Sequence, residues 1–314
     1  MNRTDIINYL IEKNNYTSYL EIGLDNPDNN FKKINENFAQ YMNRVFTEQN
    51  KIDFKKVTLR VQLTNNIDIF VFSHKNFETD RTNPVYKIVC NKEDNVSSDK
   101  LDVIKLDCEL SNIGFSEWQK IYELYKQKQV ELNDYVGLAH YHRFLSFGDD
   151  VNNVPEMSEI FKKYDVLDKH PINVGNLRNQ YSACHNVNDF DLAFGILKEM
   201  HPELNDKIDK VVNDGVMFDS NIMILRKNDF ISLCDFVFPV LFEYCNRVGI
   251  DRTSDESFLE YKNKHIMDYM KMHKQDDYNF DEQARICSYL AERLVAVFLF
   301  TKFKNIGILP MVEK

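Results

Sequence analysis

Glycine and proline are scarce in this chain, with 9 and 7 in 314 residues, and neither an internal repeat nor a low-complexity tract is visible. Disordered and fibrous classes are thereby excluded. Cysteine is equally uninformative as a framework. Cys90, Cys108, Cys184, Cys234, Cys245 and Cys287 form no CxxC pair and no Cys/His comb. Buried free thiols are expected, not a disulfide or zinc scaffold. Positive charge is in deficit, 39 Lys and Arg against 49 Asp and Glu for a formal net of -10, and no basic block rises from that background. A nucleic-acid groove needs such a block to neutralise phosphates, so nucleic acid is excluded as a partner. A small anion remains open, because a few converging cations suffice to bind it.

Long apolar runs are also missing. The longest, "LVAVFLF" at Leu294 to Phe300, falls far short of the ~20 residues that span a bilayer. The opening "MNRTDIINYLIEK" lacks the charged start, apolar core and small-residue cleavage site of a signal peptide. The expectation is a soluble, cytoplasmic protein without a transmembrane segment.

What is present is material for a core: 43% hydrophobic residues and 13% aromatics. The length allows one large domain or two ordinary ones. Residues 1–64 read differently from the rest. A helix with Thr4 as N-cap leads into a strand-like run ended by Gly23 and an Asn/Asp/Pro loop, followed by a second helix near Lys33 to Gln49. This opening resembles the start of a class I methyltransferase over about 30 residues. Its loop, "GLDNPDNNF", carries one glycine where S-adenosylmethionine usually needs two or three, and nothing like the remaining sheet follows. It is read as an accessory extension.

From Ile67 an α/β rhythm sets in. "IDIFVFSHK" is a continuous apolar run of strand length, the pattern of a strand covered on both faces, and "VYKIVCNK" is the next strand. Phe115 to Gln129 puts Trp118, Ile121, Tyr122 and Tyr125 on one helical face and leads to "DYVGLAHYHRF". Further on come a helix and short strand in "FKKYDVLDK", a helix opened by Asn188 or Asp189, a strand running into a long helix from "SNIMILRKNDF", and a closing helix through "ICSYLAERLVAVFLF". Alternating strands and helices imply a mainly parallel sheet flanked by helices, a single domain over residues 65–314.

In open α/β sheets, ligands sit past the carboxyl ends of strands. Three polar clusters fall at such places: Ser73-His74-Lys75, His140-Tyr141-His142-Arg143, and Asp219-Ser220-Asn221 at the opening of a strand. Arg143, with its planar fork, His140, His142, His74 and Lys75 suit a diphosphate. Two other readings stand beside this one. The spacing of His140 and His142 on a strand directs both imidazoles to one face and suits a metal ion, and each histidine can also be an ordinary structural residue.

These residues resemble a family. "DYVGLAHYHRFLSF" is similar to the "YVGLCHYRRYF" signature of bacterial capsule and lipopolysaccharide glycosyltransferases long catalogued as a domain of unknown function. "IDIFVFSHK", "CEL", "YSACHNVNDFDLAFGILKEMHPE", "FDSNIMILRKNDFISLCDFVFPVLFEY" and "ARICSYLAERLVAVFL" resemble its other blocks, in order, from Ile67 to Phe300. This chain departs from the pattern with Ala139 in place of the cysteine, His142 in place of the first arginine, and Ser288-Tyr289 in place of Gly-Phe.

The resemblance implies a GT-A-like fold and transfer of a sugar from a nucleotide-diphosphate donor to a growing capsular or lipopolysaccharide glycan. It points to a uridine diphosphate sugar of galactose type, pyranose or furanose. The acceptor is a glycan, free or lipid-linked, the latter requiring a peripheral place at the inner membrane. The alternative is a non-catalytic nucleotide- or glycan-binding subunit of a synthesis complex. Such chemistry needs a carboxylate to take the acceptor proton and charge to stabilise the leaving diphosphate. Glu292 is the candidate base, against an equal reading of Glu292-Arg293 as a structural ion pair, with Asp219 as a second carboxylate. Tyr141, His185, Asn221 and Arg293 are candidate sugar or acceptor contacts. Asp149 and Asp150 are candidate ligands of Mg²⁺ or Mn²⁺, against the reading of a solvated loop.

Overall fold

The computed structural model describes residues 66–126, 132–272 and 280–313. The extension expected over residues 1–64 and its methyltransferase-like start lie outside the described residues. The first strand, β1 (Ile67–Phe72), is buried at every position. Ile67, Ile69 and Val71 enter one core layer while Phe70 and Phe72 enter the other, the two-residue alternation of a strand covered on both faces. Beside it stand β2 (Tyr86–Asn91), β3 (Asp102–Leu106) and β4 (Tyr135–His140). Later in the chain come β6 (Val166–Asp168), β9 (Met223–Arg226) and β10 (Ile306–Ile308).

The order across the sheet is β10-β6-β9-β4-β1-β2-β3. Strand β1 runs parallel to β2 and β4, β2 to β3, and β6 to β10, whereas β9 is antiparallel to both of its neighbours, β4 and β6. Six of these seven strands therefore point one way, and β9 alone is reversed. Its beginning lies at the edge where the others end. That single reversal brings the segment before β9 to the carboxyl ends of β1, β4 and β6.

The core on one side of the sheet is built with helices that include α2 (Glu117–Lys126), α5 (Val187–Met200), α6 (Asn205–Asp214), α7 (Lys227–Val248) and α9 (Ile286–Lys302). The other face is covered by α3 (Met157–Ile160) and apolar loop residues such as Val96, Leu101, Phe147 and Val154. Helix α9 is buried nearly all round, so "LVAVFLF" is core. Among the described residues no helix is long and apolar enough to cross a membrane. The six cysteines form no disulfide with one another; four are buried as expected, Cys108 and Cys184 are only partly so, and the Cys245 and Cys287 sulfurs lie 3.6 Å apart.

The expected helix from Phe115 is interrupted. A short α1 (Asn112–Phe115) ends at Ser116, whose φ of 53° lies in the left-handed region, and α2 starts afresh at Glu117. The cap of α5 is Asn186, whose side chain accepts from Asn188 N, two residues before the expected opening. The third difference concerns "YHR". Strand β4 stops at His140, the chain turns through Tyr141 and His142, and β5 (Arg143–Leu145) returns antiparallel to pair with β11 (Met311–Glu313). The two histidines consequently do not share one strand face.

Gly137 fixes the spacing of the two central strands. It is paired with Ile69 of β1, and a Cβ at Gly137 would stand 2.9 Å from Ile69 Cγ1. We expect Gly137→Ala to overpack this junction and lower stability by about 1–3 kcal/mol, read as an earlier midpoint in urea denaturation. An unchanged midpoint would show that β1 and β4 have slack at this point.

Candidate functional site

Ser220, in the segment that precedes β9, has all three of its polar groups engaged. Its backbone N–H donates to Glu292 Oε1 at 3.2 Å, its carbonyl meets His140 Nε2 at 2.8 Å, and its hydroxyl accepts from Arg143 Nη1 at 2.9 Å. The same hydroxyl donates to Asp219 Oδ2 at 3.0 Å. The carbonyl can only accept, so His140 carries its proton on Nε2. Ser220 and Asn221 have φ of 70° and 49°, both left-handed, which costs a non-glycine residue about 1–3 kcal/mol and persists only where the surroundings enforce it. Here helix α9, strand β4 and the β5 turn enforce it together.

Three carboxylates surround this turn, in different electrostatic states. Burial pushes the Glu292 carboxyl up, and the opposing pull of Arg293, whose Nη1 donates to Oε2 at 2.9 Å, does not cancel it. Glu292 nonetheless keeps 20% of its side chain exposed. Asp219 is also pushed up by burial, but the ion pair with Lys169 and the Ser220 hydroxyl bring it below the usual carboxylate range. Glu117, at the start of α2, behaves likewise: burial raises it, and His140, its own backbone N–H and Asn221 Nδ2 at 2.8 Å bring it down. Glu292 is the carboxyl disposed to take up a proton, while the other two stay ionised.

A cationic face lies next to the turn, past the ends of β1 and β4. His74 and Lys75 are exposed, and Tyr141 sits between the clusters. Its ring meets His74 edge-on at 5.4 Å and His142 at 4.5 Å, and Lys75 Nζ stands 5.1 Å from its centre. Burial, then Lys75 and Lys120, hold the His74 imidazole below its ordinary value. Burial, then Arg143 and His140, do the same for His142. His140 and His142 have ring centres 6.2 Å apart. Arg143 also donates Nε to Glu313 Oε1 at 3.0 Å.

The fold thus brings together His74, Lys75, His140, Tyr141, His142, Arg143, Asp219, Asn221, Glu292 and Arg293. Arg293, almost fully buried, extends away from Glu292 to Gln180 Oε1 at 2.6 Å. His185 stands on that far side, in a second cleft. Asp149 and Asp150 are not brought in. They lie exposed in the loop after β5, where Asp150 Oδ1 accepts from Asn152 N and Asn152 in turn holds Thr82 and Asn83, before β2 begins. Among the described residues no group of three or more His, Cys, Asp or Glu is placed to hold a metal ion.

Three participants escaped the sequence reading. Glu117 reads there as an ordinary acidic residue in a first helical turn, favoured by the helix dipole. The fully buried Asp168 ends β6, and Lys169 follows it. Asp168 Oδ1 accepts from Lys169 N at 2.7 Å, Oδ2 has no hydrogen-bond partner, and burial pushes the carboxyl well up. Their signal was available, since "DVLDK" is a charged pair at the carboxyl end of a recognised strand.

The architecture is a mixed α/β sheet with helices packed on it and polar clusters at its carboxyl edge. The chain belongs to the family described as a domain of unknown function, DUF4422, whose model matches residues 68–269. Among solved structures it is similar to WbbM, a bifunctional glycosyltransferase, with a TM-score of 0.53 and 18% identity. The match covers 79% of this chain and 45% of that one, so the chain spans less than half the length of WbbM. This likeness is one of fold. The mannosyltransferase Ktr4p from S. cerevisiae matches more loosely, with a TM-score of 0.31 and 9% identity over 75% of this chain and 76% of its own. No curated protein matches the sequence significantly.

The Ser220 turn makes a separable prediction. Ser220→Ala removes a hydroxyl bonded to two charged groups and should cost about 1.5–3 kcal/mol. Ser220→Gly loses the same bonds but relieves the left-handed backbone, so it should be less destabilising than the alanine by about 1 kcal/mol. Paired urea titrations measure the difference; an equal loss in both would mean that the turn carries no strain.

Proposed function

We propose that this protein is a glycosyltransferase that moves a sugar from a nucleotide-diphosphate donor, a uridine diphosphate sugar of galactose type, to a capsular or lipopolysaccharide glycan. The observation that carries this reading is the Ser220 turn. It gathers a carboxyl disposed to accept a proton, two that stay ionised, and a guanidinium at the carboxyl edge of the sheet. Family membership and the WbbM-like fold support it.

In this reading the donor diphosphate lies against His74, Lys75, His142 and Arg143. Negative charge that develops on the leaving diphosphate is met by the Arg143 guanidinium, already oriented by Ser220 and Glu313, and by imidazole N–H groups. Glu292 takes the proton of the acceptor hydroxyl as the new glycosidic bond forms and the bond from sugar to diphosphate breaks. Its raised affinity for a proton suits that role, and Arg293 holds its second oxygen in place. Asp219, kept ionised by Lys169, and Asn221 meet sugar hydroxyls. A binding subunit without turnover would show the same donor contacts, and donor hydrolysis without acceptor separates the two.

Arg143→Ala should weaken binding of uridine diphosphate by about 1.5–3 kcal/mol in calorimetry, with uridine alone little affected. Equal losses for both ligands would place Arg143 outside the diphosphate site. The histidines add a pH dependence of definite sign. Both imidazoles lie below their ordinary value of 6.5 and are neutral at pH 7, while a bound diphosphate favours their charged forms. Affinity for UDP-galactose, whose diphosphate does not titrate here, should rise as pH falls below neutral and level off once both rings are protonated in the free protein. A flat profile would remove the histidines from the contact.

For Glu292 we expect Glu292→Gln to reduce transfer about 10²–10⁴-fold, the usual worth of a general base, with donor affinity unchanged. Because burial already disfavours its charge, the variant should melt close to wild type. A structural ion pair predicts the opposite, a loss of about 3–5 kcal/mol in stability with activity following the folded fraction.

A further inference from the structure

Beyond the Ser220 turn, a second, shallow cleft opens between the helix that carries Tyr181, α4 (Leu177–Cys184), and α5, α8 (Asp255–Met272) and α9. Its wall is aromatic: His185 and Tyr289 are stacked with ring centres 4.0 Å apart and planes 26° from parallel, and Tyr181 backs His185 at 4.7 Å. Its polar lining is mixed: Lys262 and His265 of α8 stand beside planar and hydroxylic groups. Gln283 Oε1 meets His185 Nδ1 at 3.1 Å, and Asp189 Oδ1 accepts from Tyr261 at 2.8 Å and from Tyr244 at 2.7 Å. His74 and the Lys75 ammonium lie elsewhere, past the end of β1.

This composition selects a ligand class. An aromatic stack flanked by a carboxyl, an amide, phenolic hydroxyls, an ammonium and an imidazole suits a ring with a C–H face and several hydroxyls. The position is equally specific. Tyr289 and Glu292 are three residues apart on α9, neighbours on one helical surface. Arg293 joins the two regions, bonded to Glu292 and lying 5.3 Å from the Tyr181 ring centre. On the other side Arg285 stands 5.5 Å from the Tyr289 ring centre and donates to Ser116 Oγ at 3.0 Å, next to Glu117.

We propose that this cleft is a saccharide subsite in which the His185–Tyr289 stack seats the terminal sugar ring of the acceptor glycan, one helical turn from Glu292. The assignment of that sugar as the acceptor rests on the glycosyltransferase reading; the binding of a saccharide there does not. Sequence position alone places the ring-bearing residue and the proposed base on the same helix, and the tertiary structure opens the cleft beside the first of them.

The test uses the full chain and the methyl glycosides of galactose, glucose and mannose as probes, followed by saturation-transfer NMR, with uridine diphosphate binding measured in parallel. At least one glycoside should receive saturation in the wild type, with uridine diphosphate present or absent. Tyr289→Ala should weaken it about tenfold or more while uridine diphosphate binds as before, which also shows that the variant is folded. Gln283→Ala, at a partly exposed position, should give a smaller loss in the same direction. The proposal is overturned if no glycoside binds, if both variants bind it as wild type does, or if Tyr289→Ala abolishes uridine binding, which would assign the cleft to the base. Glycoside binding that depends on Tyr289 in a protein that does not bind uridine diphosphate would uphold the subsite and remove the glycosyltransferase reading.

Discussion

The candidate site depends on how one backbone turn is held. Ser220 and Asn221 occupy left-handed conformations that neither residue adopts by preference, and they stay there because Glu292, His140, Arg143 and Glu117 each take up one of their polar groups. These partners come from α9, β4, β5 and α2. The turn is therefore a joint between the sheet and its helical layer, and its strain is stored where the polar groups converge. A change at Glu292, His140 or Arg143 is felt by the other two through Ser220.

Charge at this joint is sorted by environment, not by residue type. Glu292 and Asp219 are both carboxylates within reach of Ser220, yet burial dominates the first and Lys169 the second, so their proton affinities move in opposite directions. That divergence is what the proposed roles of base and fixed anion require, and Glu117 adds to it by raising Glu292 further. Helix α9 carries the arrangement on a rigid element: its apolar sides are sunk in the core, Tyr289 and Glu292 are partly exposed, and Arg293 is buried beside them. A site built on a buried helix is held more tightly than one built on a loop.

Much of this was legible beforehand. Apolar runs of strand length mark β1 and β4, and His74, just past β1, and His140, the last residue of β4, stand out because side chains at carboxyl ends of strands face the ligand edge. Glu292 was singled out by resemblance. Lys169 and Glu117 were passed over, because a charged residue after a short strand or in the first turn of a helix has an ordinary explanation in solvation or the helix dipole. His140 and His142 were given a common strand face that the turn at Tyr141 denies them. Local spacing fixes a shared face only while the strand continues.

By itself the sequence determined the class of fold, the two-sided burial of the central strand and the residue types available for binding an anion, since these follow from short-range periodicity and composition. Only the tertiary structure decided which of those residues meet. The reversal of β9 between β4 and β6 carries Asp219, Ser220 and Asn221 to the edge where the parallel strands end, and α9 then brings Glu292 against a residue 72 positions earlier. The sign of each carboxylate's shift was decided there as well. Burial and the approach of Lys169 or Arg293 are properties of the packed chain, and no local pattern encodes a balance between desolvation and an ion pair formed across 50 residues.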